Sequence, residues 1–196
     1  MLKTINLILV SLISLNTTAQ NSIIERVNNY LNRKNAFTDE VIYVSIKNQK
    51  LYYIEQDSII KEYIISSSAF GIGSASGSNK TPIGLHNIRE KYGEKTPING
   101  KMTGRVFHGH IATIYTDQTK SKTDDVTSRV LWLEGLEKGK NRGEGIDSFK
   151  RYIYIHGTSE EGRLGKPASH GCIRMKNKEV IDLYKLIEVG TLVLIL

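Results

Sequence analysis

Between residues 41 and 66 the period of the sequence is two. The runs VIYVSIK (41–47), KLYYIEQ (50–56) and IIKEYIIS (59–66) are built from β-branched and aromatic residues with polar breaks. An extended chain sends alternate side chains to opposite faces, so such runs at short spacing predict an antiparallel meander. Further strand candidates follow at GRVFHGHIATIYT (104–116), RVLWL (129–133), RYIYIHG (151–157) and TLVLIL (191–196). In RYIYIHG the alternation puts Tyr152, Tyr154 and His156 on one face and Ile153 and Ile155 on the other. Helical spacing occurs in two places. SIIERVNNYLNRK (22–34) carries Ile23, Ile24, Val27, Tyr30 and Leu31 on one side, with Ser22 and Glu25 spaced as a capping box. KEVIDLYKLIEV (178–189) carries a stripe of Val180, Ile181, Tyr184 and Ile187, with Asn177 placed to cap it and Gly190 to end it. The prediction is a mainly β, α+β chain with a short late helix and a short helical segment over 20–40. No internal repeat or second-domain linker interrupts 41–196, which reads as one domain.

The first residues narrow the compartment. Lys3 precedes an apolar run, Ile5 to Leu15, broken only by Asn6, Ser11 and Ser14, and Thr17-Thr18-Ala19 supplies small residues. That is the layout of a secretory signal peptide over 1–19, and the run is too short to span a membrane permanently. A buried N-terminal helix is the competing reading. Export places the chain in the periplasm or cell envelope. The formal charge of +7 suits anionic partners such as a cell wall, and export argues against nucleic acid. The chain has one cysteine, Cys172, so no internal disulfide can form. A lone thiol in an oxidising compartment is either buried and inert or kept for its chemistry.

Three constellations compete for that chemistry. GIGSASG does not match a dinucleotide fingerprint, and in GSNKT Asn79 replaces the glycine of a phosphate loop while Pro82 follows closely. That stretch reads as a flexible connection ending in a Thr-Pro turn. His108 and His110 share a strand face and, with His156, His170 and Cys172, could assemble a zinc site, but no pair has tight metal-ligand spacing. A half-exposed strand face is the preferred account of His108 and His110. The third is ASHGCIRM (168–175). Gly171 before Cys172 permits a tight turn that can aim the N–H groups of His170, Gly171 and Cys172 at one spot, the geometry of an oxyanion hole. His156 ends a strand, and the loop back to His170 holds Gly157, Gly162, Gly165 and Pro167, so it can bring Cys172 beside His156 as a nucleophile–base pair. Arg174, two residues on, shares the face of Cys172 if the segment is extended and can grip a carboxylate. Should Arg174 be only a surface residue, Arg163 and Lys166 are the alternative cations. A buried inert Cys172 beside a satisfied loop histidine is the bland alternative.

HGT followed by ASHGCIRM, with His156 and Cys172, resembles the signature of the L,D-transpeptidases of the YkuD type, bacterial cell-wall enzymes. VIYVSIKNQKLYYIEQDSIIKEYIISSS resembles the family's opening hairpin and NKTPIG its Thr-Pro-x-Gly turn, so the likeness covers about 41–196. It implies a YkuD-like β-sandwich with mixed sheets. It further implies that Cys172 attacks a stem tetrapeptide, expels D-Ala, and passes the acyl group to an amine of a neighbouring stem. His156 would be the general acid/base and the Gly157 carbonyl would orient it, a position where some members carry serine. His170, Gly171 and Cys172 would hold the oxyanion, and Arg174, Ser169 and Thr81 would bind substrate. No cofactor and no metal is implied. The partners would be peptidoglycan stem peptides, met by a monomer that does not span the membrane. A hydrolase on the same thioester and a non-catalytic wall-binding module remain open.

Overall fold

The computed structural model describes residues 20–196, so the signal-like segment 1–19 lies outside the described residues. Helix α1 spans 20–33. The strands are β1 (Glu40–Ser45), β2 (Lys50–Glu55), β3 (Ser58–Ser66), β4 (Gly84–Tyr92), β5 (Gly100–Thr103), β6 (Val106–Ile111), β7 (Val126–Gly135), β8 (Tyr154–Thr158), β9 (Ile173–Met175) and β10 (Leu192–Ile195). Helix α2 (Asn177–Leu186) stands between the last two. The expected meander is β1-β2-β3, antiparallel throughout. All ten strands form one mixed sheet in the order β4-β10-β1-β2-β3-β9-β8-β7-β5-β6, and β4 also pairs with β7. That extra pairing closes eight strands into a ring, with β5 and β6 as an appended hairpin. Two pairings are parallel, β1 with β10 and β8 with β9.

The alternation read from the sequence sorts side chains between the inside and outside of this ring. Ile42 and Val44 of β1, Leu51 and Tyr53 of β2, Ile155 of β8 and Val193 of β10 meet Val180 and Leu183 of α2, and Ile187 just after it, in the central core. Each such side chain contributes roughly 1.5–3 kcal/mol on burial. The opposite faces of β1 and β2 would be wet without α1. Val27, Tyr30 and Leu31 of that helix cover Val41, Tyr43, Tyr52 and Ile54. Tyr30 and Lys34 then pin this end of the chain to Glu137, at 2.6 Å each.

Local signals misplaced three details. Ser22 and Glu25 lie inside α1 rather than at the head of its described residues. Asn177 is the first helical residue of α2; Lys176 occupies the N-cap without a side-chain capping hydrogen bond. The Asn177 amide instead donates to Thr158 O and Glu161 Oε1 and accepts from Thr127 Oγ1 and Ser128 Oγ. Tyr152 sits before β8 with φ +57°, so the strand starts two residues later than the alternation suggests.

Candidate active site

The site lies on the outer face of β8 and β9. Parallel pairing sets His156 opposite Arg174, and Cys172, just before β9, donates to Tyr152 O and accepts from Tyr154 N–H, at 3.4 Å each. Tyr154, His156, Cys172 and Arg174 therefore share one face. The strand spacing and a two-residue offset put the Cα atoms of Cys172 and His156 about 8 Å apart, within reach of two side chains leaning together. No hydrogen bond joins Sγ to the imidazole in this state. The thiol is held on the backbone of Tyr152 and Tyr154 instead.

The turn that carries the thiol is braced from beneath. Ser169 Oγ donates to Cys172 O at 2.6 Å and accepts from Gly171 N–H at 3.2 Å. Thr81 Oγ1 donates to Gly171 O at 3.0 Å and accepts from Ser68 N–H. Both side chains are fully buried. The expectation that Ser169 and Thr81 touch substrate is thus corrected: each has its hydroxyl committed to the turn's backbone. Gly171 has φ +124°, a conformation that strains any residue with a Cβ. Its N–H is spent on Ser169, so of the three amides expected to face an oxyanion, those of His170 and Cys172 remain. Neither has a backbone acceptor in the turn among the described residues.

His156 is buried, and its Nδ1 lies 2.7 Å from Gly157 O. A carbonyl only accepts, so Nδ1 carries the hydrogen and Nε2 is left basic. Burial lowers the His156 pKa, Asp124 and the Gly157 carbonyl oppose that, and Arg174 lowers it further, so the ring is neutral at pH 7. Gly157 is confined. A Cβ there would lie 2.7 Å from both Thr127 O and Asn177 Oδ1.

Cys172 is only partly shielded from the cleft, yet the surrounding protein desolvates the thiol and pushes its pKa up to about 12. The Tyr154 N–H, Arg174 and Arg151 pull it back, and Asp124 adds to the rise. The resting group is a thiol.

Arg174 is not where a substrate carboxylate can reach it. It is 2% exposed, and its guanidinium lies 2.5 Å from Asp124 Oδ1 and 2.8 Å from Glu160 Oε2. Glu160 also takes Arg163 at 2.8 Å and Ser121 through N–H and Oγ. Asp124 also takes His170 Nδ1 at 2.7 Å. Burial would raise the Asp124 carboxyl, but Arg174, His156 and His170 outweigh it and hold it below the usual range. The expected carboxylate grip by Arg174 is corrected to an internal strut that ties loop 117–125 onto the site. Of the alternative cations, Arg163 is spent on Glu160, and Lys166 Nζ bonds Gln118.

Sequence reasoning missed Asp124, Glu160 and Arg151. Asp124 sits in a polar loop with no spacing that marks it. Arg151 heads RYIYIHG in plain view, yet its neighbours come from the Gly/Ser loop: it donates to Gly73 O at 3.3 Å and Lys80 O at 2.8 Å. With Asn79, Lys150, Tyr152, His170 and Cys172 it lines a cleft of about 370 Å³. His108 and His110 stay exposed on edge strand β6. Among the described residues no three His, Cys, Asp or Glu side chains gather as a metal site.

Comparison with known proteins gives the same outline. The family model described as the L,D-transpeptidase catalytic domain, YkuD, matches residues 39–195. Bacillus subtilis YqjB is 58% identical over 45 residues, 23% of this chain and 26% of that protein. Bacillus subtilis YkuD is 48% identical over 46 residues, 24% and 28% respectively. Both bear the name L,D-transpeptidase; the matched segments span about a quarter of these relatives. Among solved structures, the Ldtfm–avibactam carbamoyl enzyme superposes with TM-score 0.50 at 18% identity, over 82% of this chain and 49% of that one. The L,D-transpeptidase from Mycobacterium smegmatis gives TM-score 0.50 at 14% identity, over 81% and 58%. At such identities the structures speak for the fold alone.

Proposed function

Because the chain belongs to the L,D-transpeptidase catalytic domain family, we propose that it is a cysteine-dependent acyltransferase acting on peptidoglycan stem peptides. The observation that carries this reading is the chain's lone thiol. Cys172 faces a cleft on a braced glycine turn, one strand from a neutral histidine whose Nδ1 is fixed on Gly157 O.

The steps follow from those groups. Cys172 rotates off Tyr152 O and gives its proton to His156 Nε2. The sulfur attacks the carbonyl that precedes the terminal D-Ala of a stem tetrapeptide. The oxyanion takes hydrogen bonds from the N–H groups of His170 and Cys172. The C–N bond breaks, the D-Ala amine takes the proton from His156, and a thioester remains. An amine of a neighbouring stem then attacks the thioester carbonyl, His156 removes its proton, and sulfur leaves and is reprotonated. A new C–N bond cross-links the two stems; water in place of the amine would give hydrolysis. Among the described residues no helix is long and apolar enough to cross a membrane. We place the mature protein in the periplasm or cell envelope as a monomer, on the signal-like segment 1–19; a mature N-terminus at Met1 in a cytosolic fraction would refute that placement.

Cys172→Ser tests the chemistry. A hydroxyl of far higher pKa replaces the thiol, so incubation with tetrapeptide stems should give no acyl adduct by intact-mass spectrometry and no product. Muropeptide dimers from the native chain support transfer, and tripeptides alone would make it a hydrolase. Undiminished turnover by the serine variant would sink the mechanism.

A further inference from the structure

We infer that Arg151 is the residue that reads a free carboxylate on the donor peptide, making the cleft beside Cys172 selective for stems with an unamidated carboxyl terminus. The inference deepens the transpeptidase reading and rests on it.

The charge of the cleft comes first. Arg151 and Lys150 line it together with Cys172, and no Asp or Glu does. The acids closest to the nucleophile's strand are already matched: Asp124 by Arg174 and His170, Glu160 by Arg174 and Arg163. What remains facing the cleft is a surplus of positive charge, which suits an anionic ligand. Nζ of Lys150 is a mobile point charge, whereas the Arg151 head is fixed in place. Its Nη1 and Nη2 each donate to a carbonyl of the Gly/Ser loop, Gly73 O and Lys80 O. A guanidinium has five N–H donors, so these two bonds orient the group without exhausting it. Carbonyls carry no net charge, so the cation is held but not neutralised. Arg151 and Cys172 line the same cleft, which places the guanidinium near the reacting centre.

The chemistry of the reaction identifies the anion. The bond to be broken lies one residue before the peptide's carboxyl terminus, so that carboxylate must rest close to Cys172 when the thiol attacks. A fixed fork is suited to a planar carboxylate and poorly suited to a neutral carboxamide, which would leave the cation desolvated and unpaired. Arg174 cannot serve, being closed within its two ion pairs.

The test compares two donors on the full chain: the stem tetrapeptide with a free carboxyl terminus, and the same peptide as its carboxamide. The rate of acyl-adduct formation on Cys172 is read by intact-mass spectrometry. The native protein should favour the carboxylate by about tenfold to a hundredfold, the scale of one charged hydrogen bond. In Arg151→Gln that ratio should fall to near one. Arg151→Lys, which keeps the charge, should fall between, and it keeps the question answerable should the glutamine variant fail to fold. A role confined to bracing the Gly/Ser loop would slow both donors alike and leave the ratio intact, overturning the inference. So would a native ratio near one. No adduct from either donor on the native protein would overturn the transpeptidase reading itself.

Discussion

Replacing Arg174 with methionine keeps the unbranched apolar stem of the side chain and removes its charged head. Two carboxylates then lose a partner at 2.5 and 2.8 Å. Breaking a buried pair from one side typically costs about 3–5 kcal/mol, because the remaining charge stays desolvated. Here the lower end applies. Glu160 retains Arg163 and both bonds from Ser121, while Asp124 retains His170 and some solvent. A loss of about 3 kcal/mol in a chain of this size lowers Tm by about 6–12 °C. The loss should be coupled to Glu160: Glu160→Gln should cost less in Arg174→Met than in the native chain, since one of the two ion pairs of Glu160 is already gone. A kinetic signature accompanies it. Arg174 lowers the pKa of both His156 and Cys172, so without it both rise. The neutral histidine is the active form, and it is present above its depressed pKa. The acid limb of the pH–rate profile should therefore move to higher pH in Arg174→Met. Thermal melts followed by circular dichroism and acylation rates across pH read the two effects. A variant that melts within 2 °C of the native protein, keeps its pH profile and only raises the donor KM would refute the strut and restore the substrate grip.

Two other perturbations probe the frame around the site. Gly157→Ser should destabilise by about 1–3 kcal/mol, because its Cβ meets Thr127 O and the Asn177 amide at 2.7 Å and neither can move freely. It should also cut acylation at least about tenfold by shifting the carbonyl that orients His156; a serine variant of native stability and rate would show that the pocket relaxes. His86 is fully buried between Gly84 O and Ser148 Oγ, and burial lowers its pKa to about 4. Its folded value lies below its unfolded one, so its contribution is full above about pH 6.5 and is lost as pH falls toward 4, by roughly 3 kcal/mol in total. Urea unfolding at pH 7 and pH 4.5 should show His86→Gln losing about 2–3 kcal/mol less than the native chain over that interval; parallel losses would clear His86 of the effect.

What the sequence could disclose was direction, and what it could not disclose was company. Period two in RYIYIHG and CIRM is a local property of an extended chain. It correctly set Ile153 and Ile155 inward, and it aligned Cys172 with Arg174 on the face that His156 occupies. The ring closure through β4 and β7 was not legible, because it joins segments far apart in the chain, from His86 with Gly135 to Tyr92 with Val130, through register alone. The same holds for the partners of Arg174. Asp124 and Glu160 come from loops on either side of β7 and β8, and their contact with β9 exists only once those strands pair. Asn177 shows the same confusion at short range. Its place before a helical stripe is that of a cap, but the bulge between Thr127 and Val130 brings Thr127 and Ser128 within bonding distance, and the amide is drawn to them instead. A cation two residues after a nucleophile is therefore weak ground for a substrate contact. Whether such a cation meets solvent or an acid is decided by which loop the topology lays over it. Here loop 117–125 brings Asp124, closing Arg174 inward, and the open cation of the cleft is Arg151, twenty-one residues before Cys172.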